Sequence, residues 1–137
     1  RDQVVYRWIR TTPVDSSSTR GARALREIDL TQPVTFSMFG EYTKKSGVAR
    51  LAGGTLTPLV WGDAQFSTPQ RAQSADVYLF TRQSYQEFPD LLVADASLAN
   101  ARKVSDVNPQ QAQYQWGRRL LFDYVTRRGD KLQGLIT

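Results

Sequence analysis

Residues 46–61 read Ser-Gly-Val-Ala-Arg-Leu-Ala-Gly-Gly-Thr-Leu-Thr-Pro-Leu-Val-Trp. Two β-type runs, 46–52 and 55–61, flank Gly53-Gly54. A two-residue connection between antiparallel strands needs positive φ angles, and glycine adopts them without a Cβ clash. The stretch therefore reads as a β-hairpin closed by a type I′ or II′ turn. Pro58 has no N–H to give to a ladder, so its strand is expected to carry an open or irregular side there.

The pattern outside this hairpin is of the same kind. Residues 3–10, Gln-Val-Val-Tyr-Arg-Trp-Ile-Arg, are rich in β-branched and aromatic side chains and read as a strand. Residues 11–21 hold Pro13, Asp15, three serines and Gly21, which is loop composition. Residues 22–30 fit a helical face through Ala24, Leu25 and Ile28, and they also fit a strand alternation. A strand or irregular segment is preferred, because every neighbour is strand-like. Pro33 opens a short strand at 34–39. On the C-terminal side, 62–74 reads as a polar loop through Gly62, Asp63 and Pro69. Residues 75–81, Ala-Asp-Val-Tyr-Leu-Phe-Thr, are apolar on both faces and are expected to be a well-buried strand. With 91–95 and 101–105 they form a meander joined by short turns. Strands of this length with almost no helical pattern predict an all-β class of antiparallel strands and hairpins, as a sandwich, barrel or propeller.

Composition removes several chemistries. The 137 residues are one domain's worth of chain, with 40% hydrophobic and 23% charged side chains. There is no Cys and no His. A disulfide framework, a thiol nucleophile, a Cys/His zinc site and a Ser-His-Asp triad within these residues are all excluded. No apolar run approaches the roughly 18 residues of a membrane helix, and residues 1–5 contain no signal-type apolar stretch, so no membrane contact is expected. The lack of Cys fits cytoplasm or periplasm equally.

Net charge is +5, and it is unevenly placed. Residues 1–98 hold 11 Lys/Arg against 10 Asp/Glu, whereas 99–137 hold 7 against 3. The basic residues of the second part come in pairs: Arg102 with Lys103, Arg118 with Arg119, Arg127 with Arg128. Such a surface can bind phosphates, and a stand-alone basic β-domain that binds nucleic acid is the alternative reading. No phosphate loop, RNP-type aromatic motif or helix-turn-helix pattern accompanies the charge. Paired basics that stay solvated beside strands and turns, and so discourage edge association, are the preferred account. The aromatics Trp8, Trp61, Tyr78, Phe80, Trp116, Phe122 and Tyr124 could form a base-stacking platform. Their place in or beside strand-like runs favours core packing. An extracellular carbohydrate or adhesion module has no support beyond the strands themselves.

Residues 106–124, Asp-Val-Asn-Pro-Gln-Gln-Ala-Gln-Tyr-Gln-Trp-Gly-Arg-Arg-Leu-Leu-Phe-Asp-Tyr, separate two textures. Before them lie short strands and turns; after them come an apolar strand, a glycine turn and one more strand. The ordered pieces Ala-Asp-Val-Tyr-Leu-Phe-Thr, Glu-Phe-Pro-Asp-Leu, Val-Ser-Asp-Val-Asn-Pro-Gln-Gln, Tyr-Gln-Trp-Gly and Arg-Gly-Asp-Lys-Leu-Gln-Gly-Leu span about 60 residues. Together they resemble a run in the prolyl oligopeptidase-type serine peptidases, among them the dipeptidyl-peptidase-like and acylaminoacyl-peptidase-like members. In that family a β-propeller precedes an α/β-hydrolase domain. The junction motif falls here on Asn108, Pro109, Trp116, Gly117, Gly129, Leu132 and Gly134. Residues 1–74 resemble the preceding propeller strands only in general character.

The resemblance implies that 1–105 are terminal blades of a β-propeller. Residues 106–118 would be a linker, and 119–137 the first β-hairpin of an α/β-hydrolase domain. The family's nucleophile sits in a Gly-x-Ser-x-Gly elbow with Asp and His further on, all of which would follow Thr137. No catalytic residue, cofactor or metal ligand is therefore carried over. No glutamate pair matches the amine anchor of the dipeptidyl-peptidase branch, so exopeptidase specificity is not implied. The expected role is that of a non-catalytic piece whose propeller limits access to small peptides. Its partners would be peptide substrates, through the parent enzyme, and the α/β-hydrolase domain. Open strand edges would favour association into a homo-oligomer.

Overall fold

The computed structural model describes residues 2–11 and 28–137. The first sheet is a four-stranded antiparallel meander in chain order: β1 (Val4–Ile9), β2 (Val34–Gly40), β3 (Ser46–Ala52) and β4 (Thr55–Gly62). The hairpin read from residues 46–61 is present, with Ala52 opposite Thr55 at its closed end. Gly53 and Gly54 take φ of 55° and 79°, the two positive values of a type I′ turn. Its two strands slip register between Val48, which faces Val60, and Ala49, which faces Pro58. Leu59 is the extra residue of this bulge, beside the one position that cannot donate to the ladder.

The second sheet repeats the arrangement with a broken first strand. β5 (Gln65–Phe66) and β6 (Gln70–Arg71) both pair with β7 (Val77–Gln83), which pairs with β8 (Asp90–Asp95) and then β9 (Arg102–Lys103). Residues 62–74 are thus partly an edge strand rather than a plain loop. They carry no alternating apolar pattern because backbone pairing holds them: Gln70 lies opposite Leu79, and the Ser67 N–H donates to Thr81 O at 3.0 Å. The interruption is at Pro69, which is fully buried. β9 is shorter than the strand expected at 101–105. The Ser105 side chain takes the next ladder position, its hydroxyl accepting the Leu91 N–H at 2.9 Å.

Both sheets contribute to one core. Val48 of β3 is buried with Tyr78 and Phe80 of β7, Ala94 of β8 and Leu98 of the turn that follows. Ile9, Leu59 and Val60 of the first sheet and Phe66 and Leu92 of the second close over the cluster. This burial removes apolar surface from water and is what joins the two meanders. β7 is buried on one face only: Tyr78 and Phe80 point inward, while Val77 and Leu79 are each 40% exposed. The double-sided burial expected for 75–81 fails because one sheet, and not two layers, packs against it.

After β9 comes a single 3₁₀ turn, Pro109–Gln113, and then a separate two-stranded sheet of β10 (Leu120–Val125) and β11 (Lys131–Ile136). The segment 22–30 lies outside the described residues as far as 27, and Ile28 to Leu30 are not in a strand. The protein is all-β, as its sequence predicts. Among the described residues no helix is long and apolar enough to cross a membrane.

Candidate functional site

The junction between the second sheet and the hairpin is held by a connected set of side-chain contacts. At its root is Asp90, the first residue of β8, which is only 9% exposed. Its carboxylate pairs with Lys103 Nζ at 2.6 Å, and it accepts the Ser105 hydroxyl at 2.7 Å and the Val107 N–H at 3.0 Å. Lys103 also reaches Asp106 at 3.2 Å. The Lys103 ammonium first, then the Ser105 hydroxyl and the Val107 amide, hold the Asp90 carboxyl down to about 2. The same two carboxylates, Asp90 foremost, raise Lys103. One acid thus fastens β9 and the start of the 106–118 segment to the second sheet.

The segment then lies on the loop between β7 and β8. The Asn108 carbonyl accepts the Gln111 N–H at 3.1 Å, and Pro109 opens the 3₁₀ turn where its missing N–H leaves nothing unpaired. Gln111 Nε2 donates to Gln86 O at 2.8 Å, and Gln86 Nε2 donates back to Gly117 O at 2.9 Å. The Trp116 indole N–H donates to Gln111 O at 3.0 Å. Its ring meets Tyr85 edge to face, with centroids 6.5 Å apart and planes at 86°. The Arg119 guanidinium lies 4.9 Å from the Tyr85 ring centroid. A cleft of about 600 Å³ remains under the segment, with Arg82, Phe88, Lys103, Pro109, Tyr114 and Trp116 among its walls. Its cations are already engaged: Arg82 pairs with Glu87 at 3.2 Å, and Lys103 holds its two acids.

Beyond Arg119 the chain forms the β10–β11 hairpin, with Tyr124 opposite Leu132 and Phe122 opposite Gly134. Its turn places Gly129 at φ 90°, and the Thr126 hydroxyl accepts the N–H groups of Arg128 and Asp130. A Cβ on Gly134 would come within 2.5 Å of the Phe122 ring, so glycine is what lets that ring lie flat across the neighbouring strand. Side chains alternate between two faces of unlike chemistry. One carries Asp123, Gln133 and Lys131 with Leu121, Val125 and Leu135. Here Gln133 Nε2 donates to Asp123 Oδ1 at 3.0 Å and to Tyr42 O, in the β2–β3 turn, at 2.9 Å. The other carries Leu120, Phe122, Tyr124, Leu132, Gly134 and Ile136, with no polar group except the Tyr124 hydroxyl. All five of its side chains are exposed, from Phe122 at 39% to Ile136 at 56%.

Of the seven motif residues, the structure sets Trp116 and Gly117 against Tyr85 and Gln86 of the β7–β8 loop, while Asn108 and Pro109 open the 3₁₀ turn that precedes them. The other three, Gly129, Leu132 and Gly134, lie in the separate hairpin. Phe122, Tyr124 and Trp116 are not core residues of the described structure, unlike Tyr78 and Phe80. Sequence reading missed Tyr85, Gln86, Asp90, Ser105 and Gln111, whose junction partners include Arg119, Gly117, Lys103, Leu91 and Gln86, at separations that follow no spacing rule. It also took Lys103 and Arg119 as merely solvated, whereas each has a defined neighbour. Among the described residues no three acidic side chains come together as a metal site. The arrangement can hold one element in a fixed direction and offer an apolar face. No protein-family profile matches the chain, and no curated protein matches it.

Proposed function

We propose that this chain is the junction between the propeller and the hydrolase domain of a prolyl oligopeptidase-type serine peptidase, and that it acts without chemistry of its own. One observation carries the reading. A four-stranded antiparallel meander and a five-stranded antiparallel sheet, in which two short strands, β5 and β6, share the edge position on β7, are followed by a fastened linker and then by a hairpin whose apolar face is uncovered. Four-stranded meanders in chain order are the repeating unit of a propeller, and neighbouring blades pack face against face as these two do. An isolated two-stranded sheet is at best marginal in water, so β10–β11 is the start of a larger sheet. The Asp90 clamp and the Gln86–Gln111–Gly117 contacts set the direction in which that sheet leaves the second meander. In the parent enzyme the meanders act as a steric gate, admitting short unstructured peptides and excluding folded chains.

The test is peptidase assay of the natural polypeptide that contains these residues. A short chromogenic peptide should be hydrolysed and a folded protein of the same bonds should not. Deleting the region of residues 1–105 should narrow that difference. Absence of peptide hydrolysis, or equal hydrolysis of both substrates by the intact polypeptide, would remove the reading.

A further inference from the structure

The cleft under the 106–118 segment has a floor of paired charges and walls of aromatic rings. Arg82 binds Glu87 through one guanidinium nitrogen at 3.2 Å, and both side chains are half-exposed. Lys103 binds Asp106 at 3.2 Å, and these two are also open to solvent. Asp90, opposite Arg82 in the ladder and bonded to Lys103, lies buried between the two pairs. The five N–H donors of a guanidinium and the three of an ammonium outnumber these contacts. Among the described residues each exposed pair therefore keeps an unused N–H beside an unused carboxylate oxygen, Oε2 of Glu87 in one and Oδ2 of Asp106 in the other. Phe88, Tyr114 and Trp116 form the aromatic walls, and all three rings are exposed. The Trp116 N–H is spent on Gln111 O, which fixes its ring and leaves only apolar surface to the cleft.

Such a floor discriminates among ligands. Each pair is neutral as a unit, so a carboxylate, phosphate or ammonium meets a like charge beside the opposite one. It gains a contact only by breaking a pair that is already made. A purely apolar ligand strips water from both pairs and returns nothing. A hydroxyl donates one hydrogen bond and accepts others, so it matches a donor and an acceptor that stand side by side. Two adjacent hydroxyls on one ring satisfy both groups and leave the pair intact. The walls ask for apolar surface on the same ligand, because aromatic faces pack on C–H groups. Neutral neighbouring hydroxyls combined with C–H faces are the chemistry of a sugar ring. The cleft, about 600 Å³, falls within the roughly 300–1,000 Å³ of small-ligand sites and has room for two linked rings.

We propose that this cleft is a carbohydrate-binding site that takes a neutral disaccharide, a function separate from any peptidase role of the parent polypeptide. Adjacent hydroxyls of one ring bond Arg82 and Glu87, and those of the other bond Lys103 and Asp106. Tyr114 and Trp116 cover the C–H faces. The site is built from the second sheet and the segment that follows it, and does not depend on where the C-terminal hairpin leads.

The test titrates the whole 137-residue chain, nitrogen-labelled for NMR, with cellobiose, maltose and N,N′-diacetylchitobiose. At least one of the three should give saturable shifts of the Trp116 indole N–H. Its affinity should stay within about twofold when salt is raised, because the ligand carries no charge to screen. Tyr114→Ala should weaken that binding about fivefold or more through lost ring contact. The Tyr114 side chain makes no hydrogen bond among the described residues, so its removal leaves the segment held. Arg82→Gln should weaken binding about tenfold through lost charged donors. Arg127→Gln, at the far turn of the β10–β11 hairpin, should leave it within about twofold of the unaltered chain. The melting profile of each variant shows that the two sheets remain folded. No saturable shift with any of the three sugars, or binding that neither Tyr114→Ala nor Arg82→Gln weakens, would overturn the proposal. So would tighter binding of glucuronate or glucosamine than of every disaccharide, which would mark the cleft as a site for a charged ligand. Tighter binding of the blocked tripeptide acetyl-Ala-Pro-Ala-amide would overturn it in favour of a peptide site.

Discussion

Replacing Phe80 by Ala tests whether the two meanders form one cooperative unit. Phe80 is 3% exposed in the middle of β7 and lies in the cluster that includes Val48 of the first sheet. Truncating a fully buried phenylalanine typically costs about 3–5 kcal/mol, part from lost transfer energy and part from the cavity left behind. The upper half of that range is expected here, because the ring's neighbours are held by pairing on both sides of β7 and collapse poorly into the gap. For a chain of this size roughly 3–5 °C of Tm is lost per kcal/mol, so the fall should be on the order of 10–20 °C. The assay is a pair of thermal melts, one followed by far-ultraviolet circular dichroism and one by tryptophan emission. With Trp116, which packs on Tyr85 beside the second sheet, replaced by Phe in every variant, Trp8 and Trp61 report the first sheet, to which Phe80 does not belong. Both probes should shift together in Phe80→Ala. In the control Phe39→Ala, whose ring is largely exposed on β2, the shift should be a few degrees at most. If tryptophan emission kept its midpoint while circular dichroism lost part of its signal, the sheets would not share a core, and the reasoning would be refuted.

Three further outcomes follow from the same structure. Because Asp90 is held at about 2 when folded and has an ordinary value of 3.8 when unfolded, its contribution is present above pH ~4 and is lost as pH falls toward 2. Urea midpoints should fall over that window, and Asp90→Asn should flatten the fall; a slope left unchanged would contradict the clamp. Some slope will remain from Asp2 and Asp95, lowered mainly by the hydroxyls of Thr43 and Ser97. Gly54→Ala places a Cβ at φ 79° and should cost about 1 kcal/mol in a denaturant titration. Gln86→Ala removes the donor to Gly117 O and no bond of either sheet, so limited proteolysis should cut between 106 and 118 several times faster with the main melt unmoved.

What the sequence made legible was what local rules control. The glycine pair dictates the 53–54 turn, β-branched and aromatic runs dictate the strands, and the break near 106–118 follows from a change of texture. The short edge strands β5 and β6 were not legible, because their residues are chosen for backbone pairing with β7 and leave no period of two. One-sided burial of β7 was not legible either: an apolar residue shows that a position tolerates burial, and only the number of packed layers decides whether it occurs. At the junction, Trp116 and Gly117 stood out in the sequence. Gln86, Gln111 and Ser105 did not, since a Gln or Ser that bonds across 14 to 31 residues looks like any solvated one. Asp90 follows Pro89 in the sequence just before the strand read at 91–95, a place that gives no hint of the three donors it gathers.

The most direct measurement is fluorophosphonate labelling of the natural polypeptide, captured with an antibody raised against residues 46–62 and mapped by mass spectrometry. The account predicts a single labelled serine, C-terminal to the position of Thr137 and inside a Gly-x-Ser-x-Gly sequence. An unlabelled polypeptide, or one with no such sequence beyond that position, would contradict it.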